Sequence, residues 1–152
     1  MGIKESLFHF AGRQFFERPA RKHSVVEHAA RLAASGDEVR ERLAGAAPTP
    51  PNVARLRHII GIERWGQRRL RAFLGEPPTA DEHHPYKPTT TEWSALLAEF
   101  ASARADTVAL AGQLTTTDPA RTVAHNQFGP LSARGWLRYI HGHARTESKL
   151  VK

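Results

Sequence analysis

The sequence predicts an all-α fold, in which an antiparallel four-helix bundle carries a short N-terminal helix and a long loop between its second and third long helices. Apolar residues recur at intervals of three and four over four long stretches, which is the periodicity of amphipathic helices. No stretch shows credible strand alternation, so the apolar stripes are most simply buried against one another. The chain has 152 residues, 40% of them hydrophobic, and we expect one domain over residues 1–152 with a bundle core at about residues 24–150.

The N-terminal helix and the first long helix are marked by spacing and by a cap. Apolar side chains within residues 3–15 have helical spacing and predict a short amphipathic helix. Ser24 followed three residues later by Glu27 has the pattern of a capping box, in which each side chain bonds a free backbone amide. The first long helix is therefore predicted over residues 24–43, with Gly36 as a point of fraying or bending.

The second long helix lies between two proline-rich segments. Prolines at positions 48, 50 and 51 remove amide donors, so we expect Asn52 to cap a helix over residues 53–74. Gly75 and the prolines after it end this helix. The loop that follows contains His83 and His84, and its length indicates a functional segment.

The third and last long helices complete the bundle. Residues 89–92 (Thr-Thr-Thr-Glu) again fit a capping box, and the apolar stripe over residues 93–114 predicts the third helix. Residues 123–131 are expected to be irregular or briefly extended. Ser132 is a good cap for the last helix, which is predicted over residues 133–150.

Composition limits the chemistry that this chain can perform. Cysteine is absent, so His, Asp and Glu are the remaining protein ligands for a metal, and a thiol nucleophile is excluded. No apolar run reaches the roughly 20 residues of a membrane span, and the N-terminus lacks a secretory signal, so we expect a cytoplasmic protein without membrane contact. The net charge of +7 favours polyanions in general, but no aromatic-interleaved basic motif is present and a nucleic-acid partner is not expected.

The last helix places two ligand-type side chains on its buried face. At about 100° per residue, His143 and Glu147 share the arc of Ile140 and Ala144, one turn apart. A carboxylate on such a face requires a partner, because an unpaired buried charge costs several kcal/mol. The spacing is equally compatible with a metal site and with an ion pair, for which Arg104 on the third helix is a candidate. His141 falls on the arginine-rich side and is expected to face solvent.

The second helix adds one further candidate ligand. His58 lies on the shoulder of its apolar arc, where it can face the bundle. Glu63 and Gln67 lie inside that arc and are interpreted as a buried polar network, groups next to a site, partners of Arg104 or contacts across a dimer interface. The arginines at positions 57, 64, 68 and 71 gather on the opposite, solvated side.

The remaining histidines have no clear role in the sequence, and the common catalytic motifs are absent. His83 and His84 decorate the long loop and His125 precedes the last helix, although either segment can fold over the mouth of a site. The sequence has no glycine-rich phosphate loop, no G-x-S-x-G elbow and no H-E-x-x-H helix. The commonest nucleotide, acyl-transfer and zincin chemistries are thereby excluded.

Two segments carry a family resemblance. Residues 58–66, beginning with His58, and residues 125–137, with the following turn to His143, resemble the DinB-like (DinB/YfiT) superfamily over roughly residues 24–150. The resemblance implies a four-helix bundle, often a homodimer, with three histidine metal ligands. His58 and His143 match the first two ligands, whereas the third position is Glu147 in this chain.

The resemblance also implies a function. Two histidines and one carboxylate form a recognised facial set for Zn, Ni, Mn or Fe with open coordination positions. The implied activity is a metal-dependent thiol S-transferase, isomerase or hydrolase acting on a small molecule, with a low-molecular-weight thiol as possible cosubstrate and Glu63 or a loop histidine as proton carrier. The alternative is a non-enzymatic stress-response or binding module with a structural or degenerate site.

Overall fold

The computed structural model describes residues 1–152 and is mostly helical. The N-terminal helix α1 (Ile3–Gly12) continues through a π-helical turn (Arg13–Glu17) and a short helical turn (Arg18–Ala20). The four long helices are α2 (Val25–Ala44), α3 (Pro50–Phe73), α4 (Trp93–Gln113) and α5 (Ala133–Ser148). The predicted all-α bundle is confirmed.

The long helices pack in a square. Each of α2 and α3 packs against both α4 and α5, so α2 lies diagonally opposite α3, and α4 lies diagonally opposite α5. The apolar core has two parts, one around Trp65 and Trp136 and one around Leu56 and Phe100. This arrangement makes α3 and α5 neighbours, although about 60 residues separate their facing ends. None of the helices combines the length and the apolar character that crossing a membrane requires.

The predicted caps of α2 and α5 are present, whereas the caps of α3 and α4 differ from the prediction. The Ser24 hydroxyl accepts the Glu27 amide while Glu27 accepts the Ser24 amide, as the capping box predicts, and Ser132 caps α5 through the Gly135 amide. Helix α3 starts three residues before the prediction, because Thr49 is its cap and two prolines occupy first-turn positions that need no amide donor. The predicted capping box before α4 does not form, since that helix begins after Glu92 without a side-chain cap.

The segment before the last helix, expected to be irregular or briefly extended, forms a β-hairpin. Strand β1 (Thr122–His125) pairs antiparallel with β2 (Gly129–Ser132), with His125 opposite Gly129. Gly129 has φ 75°, a left-handed conformation that glycine adopts without strain. A side chain at this position would also collide with the ring of His9 on α1. The hairpin thus holds His125 at the bundle surface and receives α1 against its second strand.

Candidate metal centre

An open cavity of about 510 Å³ lies between α3, α5, the loop after α3 and the β-hairpin. Its lining includes one histidine from each of these four segments: His58, His143, His83 and His125. The chain has nine histidines, so almost half of them line this one pocket. Titratable groups gathered in one cleft indicate a functional site.

Close packing of α3 against α5 brings the first two predicted ligands together. The Nε2 atoms of His58 and His143 lie 3.1 Å apart, and their ring centroids are 5.0 Å apart at 62°. Gly66 on α3 permits this approach, since a Cβ there would lie 2.6 Å from Ile140 on α5. The contact between His58 and His143 is therefore determined by how closely α3 and α5 pack where they cross.

Both imidazoles of this pair are neutral near neutral pH. Burial is the main cause that lowers the pKa of His58 from its ordinary value of 6.5. Burial and then the charge on His58 lower the pKa of His143 to about 3. A neutral imidazole retains a nitrogen lone pair, which a metal ion requires. Without a metal, one Nε2–H would donate to the other ring.

Glu147 lines the same cavity but has a partner of its own. Its carboxylate accepts a hydrogen bond of 2.5 Å from the Arg55 guanidinium on α3, and about a quarter of its side chain is exposed. The predicted ion-pair alternative named Arg104, whereas the observed partner of Glu147 is Arg55. No three or more His, Asp or Glu side chains are placed so that together they could hold a metal ion.

Glu63 lies outside the pocket. It is 1% exposed and accepts hydrogen bonds from Arg104 at 2.7 and 2.9 Å and from the Thr107 hydroxyl at 2.7 Å. Gln67 extends the same network by donating to Thr107 and to the Ala103 carbonyl. The structure thus places Glu63 in a buried polar network between α3 and α4, with Arg104 as its partner, and does not bring it to His58 and His143.

The long loop folds over the pocket and delivers His83 to it. The His83 ring meets the His58 ring edge to face at 5.1 Å and stacks on the exposed His84 at 4.4 Å. Burial, followed by the charge on His58, lowers the pKa of His83. Sequence analysis had left the role of this residue open, and the structure places it within reach of the candidate ligands.

A buried arginine holds the loop in place. The Arg69 guanidinium is fully buried and donates to the Asp81 carboxylate at 2.7 Å, the Asp81 carbonyl at 2.8 Å and the Asn126 side chain at 3.2 Å. Partial burial opposes ionisation of Asp81, but hydrogen bonds from Tyr86 and Arg69 outweigh it and hold the pKa of Asp81 well below its usual range. Arg69 thus joins the loop that carries His83 to the hairpin that carries His125.

Arg69 is a functional residue that sequence analysis missed. It follows Trp65 by four positions and therefore lies on the apolar face of α3, with its guanidinium 4.8 Å from the Trp65 ring. An arginine on such a face requires acceptors. The position of an arginine on an apolar helix face was the signal in the sequence that Arg69 has buried acceptors. The loop residues that serve as these acceptors could not be inferred.

His125 occupies an aromatic cage beside the pocket. Trp65, Trp136 and Tyr139 surround its ring at centroid distances between 4.5 and 5.1 Å. Its Nδ1 accepts the amides of Gln127 and Phe128, so the proton lies on Nε2, which has no hydrogen-bond partner. Burial, followed by the charge of Arg69, lowers the pKa of His125 to about 3. The ring is thus neutral and shapes one wall of the cavity.

Tyr139 supplies a hydroxyl on the same wall. It lies one turn before His143 on α5 and is 8% exposed. Burial and the nearby Glu147 carboxylate raise the pKa of Tyr139, so its hydroxyl keeps its proton. The pocket therefore combines four imidazoles, an uncharged phenol and the carboxylates of Glu82 and Glu147 in an aromatic surrounding.

Comparison with known proteins agrees with this architecture. The family model of the DinB superfamily matches residues 10–146, which include all the long helices except the last two residues of α5. None of the curated proteins and none of the solved structures gave a significant match. The match extends over most of the chain, and the chain belongs to the DinB superfamily.

Proposed function

We propose that the protein binds one divalent transition metal ion through His58, His143 and Glu147 and acts as a metal-dependent transferase or hydrolase on a small molecule. The observation that carries the proposal is the 3.1 Å separation of the two Nε2 atoms. Two nitrogens bound to the same ion at about 2.1 Å lie about 3.0 to 3.4 Å apart for bond angles between 90° and 109°. Two ligands from different helices thus already have the spacing of neighbouring positions on one ion.

For Glu147 to serve as the third ligand, its carboxylate must exchange Arg55 for the metal ion. Glu147 lies one turn after His143 on α5 and lines the same pocket, so its carboxylate can leave Arg55 for an ion held by the two histidines. The exchange is inexpensive, because both side chains of the Arg55–Glu147 pair are partly exposed and such pairs contribute about 0 to 1 kcal/mol. His83, which contacts His58, is a candidate for a further position.

The surrounding residues suit a reaction on a small molecule. A divalent ion at this place supplies Lewis-acid chemistry, since it lowers the pKa of a water or a low-molecular-weight thiol enough to give a nucleophile at neutral pH. Trp65, Phe128 and Tyr139 line the pocket and exclude water from one side. The Tyr139 hydroxyl can donate a hydrogen bond to a substrate oxygen, and His83 on the loop can carry a proton at the mouth.

The test is a metal titration of tag-free protein that has been treated with a chelator. We expect Zn, Ni, Mn or Fe to bind with a stoichiometry of one in calorimetry, and His58→Ala and His143→Ala to abolish this binding. His23→Ala is the matched control, because His23 is a partly buried histidine outside the pocket. Binding that is absent from the wild type, or equal in all three variants, would overturn the proposal.

A non-enzymatic binding or stress-response module is the second candidate function. The observation that favours it is the Arg55–Glu147 hydrogen bond, which occupies the third ligand of the proposed set. This candidate predicts that Zn, Ni and Mn leave the melting temperature unchanged. A metal-induced rise in melting temperature that disappears in His143→Ala would exclude the form of this candidate in which the site is degenerate and binds no metal.

A further inference from the structure

A second group of charged side chains lies where the π-helical turn, α2 and α5 meet. Two adjoining cavities of about 360 and 220 Å³ share three lining residues: Arg31, His141 and Arg145. Arg138 from α5 completes the lining of the larger cavity. Three guanidinium groups thus converge on a concave surface that is distinct from the metal pocket.

His141 differs from its predicted position on the solvent side of α5. It is only 9% exposed, because the segment after α1 and helix α2 cover that side of α5. Burial and the positive charges of Arg104 and Arg145 lower the pKa of His141 to about 4. His141 therefore offers polar nitrogens to both cavities without adding positive charge.

The positive charge of this group is incompletely balanced. Glu38 is the one carboxylate in the lining of the two cavities, and it accepts from both Arg42 and Arg145. Arg31 donates to the His23 ring at 3.0 Å, and Arg138 donates through Nε to the Phe15 carbonyl at 2.8 Å. The hydrogen-bond partners of Arg31 and Arg138 are thus uncharged, and the remaining guanidinium donors of both side chains are available.

An apolar wall adjoins these donors. Phe15, with 65% of its surface exposed, and the half-buried Phe16 line the larger cavity next to Arg31 and Arg138. A solvated basic face would hold its arginines apart on a convex helix surface. Here they share a cavity with exposed aromatic surface, which suits a ligand that is both anionic and apolar.

We propose that this cavity, the Arg31–Arg138 cavity, binds a small organic anion, either a phosphomonoester or a carboxylate. The anionic group lies between Arg31 and Arg138, and the apolar body lies against Phe15. The proposal is independent of the metal, although Phe16 and Gly142 line both this cavity and the metal pocket. A nucleic acid is the competing polyanion, but a cavity of about 360 Å³ accommodates a small molecule and not a duplex.

The experiment is calorimetry on metal-free protein with phenyl phosphate, benzoate, inorganic phosphate and the neutral benzyl alcohol as probes. We expect single-site binding of phenyl phosphate or benzoate, weaker binding of inorganic phosphate and no binding of benzyl alcohol. The stronger of the first two probes identifies the anion class. Arg31→Gln is expected to weaken binding about tenfold, as the loss of one charge-assisted contact predicts.

Arg40→Gln is the matched control on the same helix, because Arg40 is exposed, pairs with Asp37 and lies outside the Arg31–Arg138 cavity. Since Arg31 is itself exposed, its replacement should leave the fold intact, which the melting temperature checks. Equal weakening by Arg31→Gln and Arg40→Gln would overturn the proposal. Binding of duplex DNA with a steep salt dependence, together with no binding of the small anions, would overturn it in favour of a nucleic-acid surface.

Discussion

The Nε2 atoms of His58 and His143 lie 3.1 Å apart although 85 positions separate these residues in the chain. The contact depends on two helices that cross at Gly66 and not on a loop. Glu147, one turn further along α5, is held by Arg55 instead. The pocket therefore has two imidazoles in contact and a carboxylate that is already paired with an arginine.

Arg55→Gln should strengthen metal binding by about threefold to fivefold, because it releases the Glu147 carboxylate from a partly exposed ion pair. Glu147→Gln should weaken binding. Calorimetric titration of both variants with Zn measures the effect. Arg57→Gln is the control, since it removes the same charge from the same helix but Arg57 donates to the Pro88 carbonyl. If Glu147→Gln binds Zn as tightly as the wild type, Glu147 is not a ligand.

Glu63→Gln should lower the free energy of unfolding by about 3 kcal/mol or more, because it leaves the buried Arg104 guanidinium without its carboxylate. The folded variant should bind metal like the wild type, since Glu63 lies outside the pocket. Urea unfolding and metal titration measure these two quantities.

Glu99→Gln provides the control for the Glu63 experiment. Glu99 on α4 pairs with Arg64 on α3 at 2.8 Å, but both side chains are about one-third exposed. Its loss should cost about 1 kcal/mol or less. Similar destabilisation by the two replacements would contradict the structural role of the Glu63–Arg104 pair.

Gly66→Ala should destabilise the protein by about 1 to 3 kcal/mol, because its Cβ would lie 2.6 Å from Ile140 at the crossing of α3 and α5. Gly112→Ala on α4 has no atom within 4 Å of the added Cβ and should stabilise the helix by up to about 1 kcal/mol. The melting temperatures of the two variants test whether the two replacements change stability in opposite directions. A destabilising Gly112→Ala or a neutral Gly66→Ala would argue against the described packing.

Stability should fall as the pH decreases from about 6.5, partly because of His125. In the folded protein burial lowers the pKa of this residue to about 3, so the unfolded chain takes up a proton that the native state resists. Between pH 7 and pH 5 this difference amounts to about 2 kcal/mol for one histidine. Urea unfolding at both pH values should show a smaller loss in His125→Asn than in the wild type. The exposed His84→Asn should retain the wild-type loss, and an unchanged loss in His125→Asn would contradict the assignment.

The helices could be predicted because their determinants are local. The Ser24 and Ser132 caps and the periodic apolar stripes lie within a few residues of the elements that they specify. The start of α3 was misplaced because the prolines before Asn52 were interpreted as helix-breaking, whereas they occupy its first turn. A briefly extended segment was among the predictions for residues 123–131, but the pairing of two strands was not predicted, because each strand has only four residues.

The site was predictable to the extent that it depends on helix faces. The periodicity placed His143 on the buried arc of its helix and His58 on the shoulder of its arc, and the family resemblance implied that the two side chains meet. The positions of His83, Arg69 and Asp81 depend on the course of a long loop, for which periodicity gives no information. The error for His141 has a related origin, because the segment that covers it comes from the N-terminal region.

The π-helical turn at Arg13–Glu17 sets the direction in which the side chains after it point. A π turn contains one residue more than an α turn, which changes the rotational phase of the following residues by about 100°. With this phase the carboxylate of Glu17 accepts the Ser132 amide and hydroxyl at the start of α5. Deleting a single residue from the turn would turn this carboxylate away from Ser132 or rotate α1 away from the hairpin, so insertions and deletions here should be tolerated far less well than substitutions.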